Sequence, residues 1–566
     1  MLSKVWVGLI ALVTFLFAVV ALGAIGTPMG HSYGFNMSWT LAFTEALGPA
    51  SVYPRFLPDL WDGVGGLDFF FYAPLPFYVT AGPAQWLCPG CSPQVVFGVT
   101  GGLLCWLSGV TFWVFARQFL PPTAALFSSL LWALAPYHLG IDWMFRQAAG
   151  EFAAYVFVPL VCHGVLVALR DQRPALSLPL GLAGLGFSHL PTLLLVAHVL
   201  VVIVGAWLLV FRRHVLRSVT LLTVMGGAGV ALSAVYWLPA VVLLGDVSPD
   251  GLYTKELVPD YWFLFGLDTY PDSKFRIALL MFQVVACIVA ALAVTVTRGN
   301  TRKIVTIWAL LPAVLVLLLN GSFSQVLWDN WIIQKVQFPY RLTVMSDLAL
   351  ALAAGSVLYA FQTGRCTWRR VSFGAGVLVL SFAALGVLVP DRIARGVAAR
   401  GESVVMRGAP EYLPPAVFDP LAAEVQAADA PIWELPQYLL DFVATIDMPA
   451  SGFIKPVAVG PRQWLIPSGA FRQADPVKPV HVALMYWSHL QATTVDGVPV
   501  ALSWDTDSGF VTLEPVGEDV RILLPYHWSE KAGLAMTIAG LILAAAFGLW
   551  AHKRTGRELA NNLPPK

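Results

Sequence analysis

Apolar runs long enough to cross a bilayer recur along the chain, separated by short polar loops. A hydrocarbon core about 30 Å thick needs roughly 20 apolar residues per helix. On that criterion spans are expected at about 5–25, 95–116, 121–137, 152–170, 175–188, 191–210, 218–243, 276–297, 304–319, 342–361, 371–390 and 531–551. That makes about twelve. The first run follows Lys4 and is read as a retained helix, although Ala21-Leu22-Gly23 mimics a signal-peptide cleavage site. The stretch from Phe69 to Tyr78 is equally apolar but contains Pro74 and Pro76, which cannot donate helix hydrogen bonds. It is expected to be re-entrant or to lie at the interface, since broken backbone at membrane depth must be buried in protein or line a cavity.

Composition narrows the class. Of 566 residues, 58% are hydrophobic and 12% charged, with a mean hydropathy of +0.72, which no soluble chain of this length could bury. The expected fold is therefore an α-helical polytopic membrane protein. The charges are unevenly placed. With the N-terminus in the cytoplasm, the alternate loops carry Arg117, then Arg170 and Arg173, then Arg212, Arg213 and Arg217. Next come Arg298, Arg302 and Lys303, then Arg365, Arg369 and Arg370, and last the tail with Lys553, Arg554 and Arg557. Every one obeys the positive-inside rule, so both termini are expected in the cytoplasm. The net charge of +1 hides this asymmetry and gives no basis for nucleic-acid binding. Six cysteines make no disulfide framework, but Cys88-Pro89-Gly90-Cys91 can close a small local bridge on the outer side.

The segments left outside are about 26–93, 137–151, 244–275, 320–341 and the larger 391–529. The last is less hydrophobic, with β-prone runs at Val477–Met485 and Ala492–Val500 punctuated by Asp496-Gly497 and Asp507-Ser508-Gly509. These are hairpin signals, and Pro479 and Pro499 belong at strand starts or sheet edges. The expected organisation is a transmembrane domain over 1–390 with a large first loop (26–93), a small β-rich extracytoplasmic, periplasmic domain over 391–529, and a final helix and tail over 530–566.

Polar chemistry concentrates on the outer segments. The first loop carries His31, Glu45, Arg55, Asp59, Asp62 and Asp68 among tyrosines, tryptophans and glycines. Aromatic faces can stack on sugar rings, although the same residues also suit a solvated loop with turn glycines. The segment from Pro136 to Glu151 places Asp142 and Arg146 four apart, on one helical face where they can pair. Glu151 opens the next span, where an ionisable group is costly unless it faces a cavity. Lys335, Gln337, Tyr340 and Arg341 form a third cluster at the mouth of a span, and His189 a fourth feature. An arginine at such a mouth either snorkels to head groups or grips a phosphate with its planar fork.

The order Tyr53-Pro54-Arg55, Gly63 to Gly66, Tyr72-Ala73-Pro74-Leu75, Arg146 to Glu151, His189-Leu190-Pro191 and Gln337-Phe338-Pro339-Tyr340-Arg341 resembles a bacterial membrane family. The family is labelled 6-pyruvoyl-tetrahydropterin synthase-related, a chemistry not implied here. The chain is also similar to YfhO-like proteins and, more distantly, to the GT-C membrane glycosyltransferases. The resemblance spans residues 1–360 and implies a bacterial inner (cytoplasmic) membrane protein that modifies cell-envelope glycan or polysaccharide. A polyprenyl-phosphate-linked sugar would be the donor, and a glycan or lipid the acceptor. A carboxylate would act as base, for which Asp62, Asp59 and Glu45 are the catalytic candidates. His31, Arg55, Asp142, Arg146, Glu151, His189, Lys335, Gln337, Tyr340 and Arg341 would bind substrate. Family members usually carry aspartate at the position of Ser32, so the base must lie elsewhere or the site binds without catalysing. The alternatives are therefore a non-catalytic lipid-linked-glycan-binding component of a polysaccharide assembly, with envelope-assembly proteins as partners, or a transporter. The sequence contains no clear metal-ligand cluster, and the resemblance leaves a divalent metal open.

Overall fold

The computed structural model describes residues 27–561 except 83, 86–87, 212–213, 249–256, 265–272, 400–401, 429–433, 446–452 and 472–477. The expected first span and the arginines Arg212 and Arg213 lie outside these residues, as do the side chains of the basic tail.

Among the described residues, nine helical segments are long and apolar enough to cross a membrane. They are Pro93–Ala116, Pro122–Arg146, Ala149–Arg170, Leu190–Phe211, Val215–Leu232, Lys274–Val296, Pro339–Gln362, Trp368–Leu388 and Trp528–Trp550. Shorter Ser177–Ser188 and the helix Gly299–Leu318 pack beside them. The chain is thus a multi-pass helical membrane protein with a C-terminal β-sheet region. Local chemistry explains the boundaries. Ser92 caps the first of these helices by accepting from Val95 N, with Pro93 in the first turn, where a missing N–H costs nothing. The run expected at 218–243 breaks at Ser233, between helices Val215–Leu232 and Ala234–Val242. Close helix approach relies on small residues. Gly164 lies against the backbone of Leu178, and Gly181 against that of Val161.

The loops that follow Ala116, Arg170 and Phe211 meet at one end of the bundle. There Arg170 Nη2 donates to Gln118 Oε1 (2.7 Å) and Gln172 Nε2 to Ser218 Oγ (2.7 Å). The opposite end carries the first loop and the sheets. Its proline-broken stretch forms two short helices: Asp68–Phe71 packs on the helix Ala234–Val242, and Leu75–Gly82 on helices Tyr33–Ala46 and Pro93–Ala116. Cys88 and Cys91 are bridged in the same loop.

The segment after residue 390 is more mixed than its β-rich reading suggested. Helices Pro390–Ala398, Pro415–Ala427 and Leu435–Thr445 precede nine short strands. These are β1 (Phe453–Ile454), β2 (Val457–Gly460), β3 (Gln463–Ile466), β4 (Val480–Met485), β5 (Gln491–Thr494), β6 (Pro499–Val500), β7 (Leu502–Trp504), β8 (Phe510–Leu513) and β9 (Val520–Leu523). They build one sheet in the order β1-β4-β8-β7 and another in the order β2-β3-β9-β5-β6. Both hairpin signals are realised: Gly497 and Gly509 take φ of 86° and 73° in the β5–β6 and β7–β8 turns. Pro499 lies on edge strand β6 and Pro479 directly precedes β4, where neither removes a ladder bond.

A buried carboxyl seals the first loop to this region. Asp68 accepts from Trp39 Nε1 (2.9 Å) and Ala409 N (2.8 Å). Burial pushes its pKa up to about 6, and that of neighbouring Glu411 up to about 7. A carboxyl raised in the fold favours the folded state while protonated, so its contribution is complete at low pH and lost as pH rises through these values. The melting temperature in detergent should therefore fall between about pH 4 and about pH 7, with Asp68→Asn flattening the profile. A melting temperature that rose across this range would contradict the assignment.

Candidate functional site

The segment Pro136–Glu151, expected at the outer end of the spans, is buried. Pro136–Arg146 forms a π-helix and Gln147 a left-handed turn (φ 57°), and the chain then re-enters a helix at Ala149. π-Helical turns are rare and recur at functional sites because they re-aim side chains. This one turns Tyr137, Asp142 and Arg146 toward Glu151.

Glu151, 1% exposed, is the hub of the resulting node. Its Oε2 accepts from Arg146 Nη1 (2.8 Å) and Arg341 Nε (3.1 Å), and its Oε1 from the Tyr137 hydroxyl (2.8 Å). Arg146 Nη1 also reaches Asp142 Oδ1 at 3.1 Å, the expected pair four residues apart. Arg341 Nη1 donates to Val336 O (2.6 Å) and to Gln337 Oε1 (3.4 Å), drawing the third cluster in. Phe338 and Tyr340 stack with their ring centroids 5.4 Å apart. The Arg146 guanidinium lies 5.2 Å from the Tyr340 ring and that of Arg341 4.6 Å from Phe338. Aromatic faces favour cations held in this way. His189 sits at a helix break against Gly150, its Nδ1 2.7 Å from Thr192 Oγ1. Asp142 Oδ2 is buried without a hydrogen-bond partner. The node holds two guanidiniums and two carboxylates inside spanning segments, where ionisable groups mark functional sites by default.

The start of the first loop is stitched to the node. Ser32 N donates to Arg146 O (3.0 Å), Asn36 Nδ2 to Gln147 O (2.7 Å), and Gln147 Nε2 to Pro28 O (3.2 Å). His31 packs edge-on against Phe145 (5.0 Å), with Arg392 Nη2 3.2 Å from its Nε2.

The candidate bases lie apart from it, on the exposed face of the first loop. Glu45 ends the helix Tyr33–Ala46, and burial, with Asp59 beside it, holds its carboxyl above the usual range. Trp61 and Asp62 both have left-handed backbones (φ 55° and 53°), followed by Gly63 at 94°. Left-handed L-residues cost roughly 1–2 kcal/mol each, and such strain persists only where its surroundings enforce it. Here buried Trp61 supplies the anchor, donating its backbone N–H to Met406 O (2.8 Å). Lys335 stands exposed in the turn Ile333–Val336. Arg55 belongs to a different contact: its Nε meets Glu530 Oε2 at 3.0 Å.

The structure thus unites Asp142, Arg146, Glu151, His189, Gln337, Tyr340 and Arg341 and leaves Arg55 and the three bases elsewhere. Sequence reasoning missed Tyr137 as a ligand of Glu151, Asp347, which accepts from the Tyr155 hydroxyl (2.9 Å), and the partners of Arg55. Glu530, an acid at the edge of the last apolar run, was the available signal. Among the described residues no group of His, Cys, Asp and Glu side chains is arranged to hold a metal ion.

The chain matches no protein-family model and no curated protein. Among solved structures, the chain is similar to the arabinofuranosyltransferase AftD from Mycobacteria, with a TM-score of 0.43 and 19% identity over 69% of this chain and 27% of that one. A mutant of the same enzyme gives 0.43 in two classes, at 16% and 18% identity over 69% and 68% of this chain. The chain spans about a quarter of the length of these structures.

Proposed function

We propose that this chain is a membrane glycosyltransferase that takes sugar from a polyprenyl-phosphate carrier. The observation that carries the reading is the buried node, in which seven residues singled out from three separate stretches of sequence meet in and at the ends of apolar spans. The resemblance to GT-C enzymes supplies the reaction class. A carboxylate takes the proton of the acceptor hydroxyl, and that oxygen bonds to the anomeric carbon from the face opposite the carrier. The bond to the phosphate oxygen breaks, and the lipid phosphate leaves with the electron pair. In this reading Arg146 and Arg341 exchange part of their hold on Glu151 for the phosphate as the donor enters. Guanidinium forks suit that role, being planar, always charged and able to bind phosphate through two bonds. Asp62 or Asp59 serves as base, and the strained turn at Asp62 supports that choice. Incubating the purified protein with a polyprenyl-phosphate sugar and an acceptor glycan should release free polyprenyl phosphate. Intact donor after saturating binding would instead favour the non-catalytic reading, which the Ser32 substitution and the charge-balanced node support.

The reading also requires the sheets and the node to face outward in a bacterial inner membrane. Cysteine introduced at Ser508 should react with an impermeant maleimide on intact cells, and cysteine at Arg557 should not. The reverse pattern would place the site on the wrong side for a carrier-linked sugar.

A further inference from the structure

A cavity of about 550 Å³ opens between the first loop, the turn at Pro461 and Arg462, and the start of the last span. Its charge is unlike that of the node. Arg55 (4% exposed) and Arg462 (8%) share a single carboxylate, Glu530 (6%). Arg462 binds it through Nη1 and Nη2 (3.0 and 2.8 Å), while Arg55 adds its Nε at 3.0 Å. Glu530 is further saturated by His527 N (3.1 Å). Two buried cations against one anion leave one positive charge unbalanced on the cavity wall, an arrangement that favours a bound anion. Arg55 Nη2 is used by Val235 O (2.7 Å), but its Nη1 is buried with no partner. Lys531, on the same wall and exposed, adds a second uncompensated cation. Rings brace both guanidiniums, Tyr53 at 4.1 Å from Arg55 and Tyr526 at 4.3 Å from Arg462.

The surroundings indicate where the anion comes from. The cavity continues onto Leu534 of the helix Trp528–Trp550, whose Leu534, Ile538 and Leu541 are all exposed. Tyr526 and Trp528, exposed where this span begins, are the aromatic types that settle at a membrane interface. A charged pocket thus sits directly above an apolar stripe, matching a molecule with a phosphate head and hydrocarbon tails.

We propose that Arg55, Arg462 and Lys531 form a binding site for the phosphate headgroup of a membrane lipid, separate from the Glu151 node. The site stands whether or not the chain transfers sugar. Native mass spectrometry of the full chain in detergent, with dioleoyl phosphatidic acid, dioleoyl phosphatidylcholine or inorganic phosphate as probes, tests it. The wild type should retain phosphatidic acid at least tenfold more tightly than phosphatidylcholine, and millimolar inorganic phosphate should not displace it. Arg55→Gln leaves Glu530 short of a partner and can prevent folding, so exposed Lys531 carries the test. Lys531→Gln should weaken phosphatidic acid binding about tenfold, the low end for losing a charge-assisted contact, and Lys531→Arg should restore it. Displacement by inorganic phosphate would overturn the lipid assignment in favour of a free-anion site. Equal retention of the two lipids, or wild-type retention in Lys531→Gln, would overturn the site itself.

Discussion

Replacing Glu151 with alanine should destabilise the protein by about 3–5 kcal/mol, the range for breaking a buried ion pair from one side. The change strips the carboxylate from Arg146 and Arg341 together and orphans the Tyr137 hydroxyl, all inside spanning segments. Asp142 is left to balance Arg146 alone, through one contact of 3.1 Å. Glu151→Gln keeps the shape and an acceptor oxygen but not the charge, so it should fall between wild type and alanine. Pairing Glu151→Ala with Arg341→Met should recover part of the loss, because an apolar side chain of similar length needs no partner. Denaturant unfolding in detergent gives the energies, and the double-mutant cycle isolates the coupling. An alanine variant within about 1 kcal/mol of wild type would show that water reaches the node and that it is not a low-dielectric site.

The second large effect concerns turnover. Asp62→Asn, or Asp59→Asn if the neighbouring carboxylate is the base, should cut sugar transfer at least ~100-fold, the low end for lost acid–base assistance. Donor binding should survive, since the amide is isosteric. The backbone gives this test a useful control. Asparagine tolerates the left-handed conformation nearly as well as aspartate, so Asp62→Asn changes the chemistry without changing the strain. Asp62→Gly removes the carboxylate and the strain together, and should raise stability by up to ~1 kcal/mol while abolishing the same turnover. Wild-type turnover in both single variants and in the double variant would exclude both carboxylates.

Much of this architecture was legible because membrane burial and strand pairing leave periodic traces. The spans follow from unbroken apolar length, and the hairpins from Asp496-Gly497 and Ser508-Gly509, where glycine supplies the positive φ that the turns need. The Asp142–Arg146 pair followed from its spacing and survives in a π-helix. The burial of that segment did not follow. Four polar or ionisable residues within eleven positions placed the stretch outside the spans, because nothing local reveals that Glu151 and Arg341 arrive to neutralise them. The same blindness hid the pairing of Arg55 and Arg462 with Glu530, groups far apart in sequence and joined only when the last span returns. The helices within 391–529 were missed because short strands and turn signals dominated the pattern there.

The most direct measurement is the anomeric configuration of the transferred sugar. Purified full-length protein would be given a polyprenyl-phosphate sugar of defined configuration and a soluble acceptor glycan, and the product linkage read by NMR. Direct displacement, with a first-loop carboxylate as base and the lipid phosphate leaving, predicts a product of inverted configuration. Retained configuration would contradict the mechanism, and donor that binds without ever yielding product would contradict the assignment as a transferase.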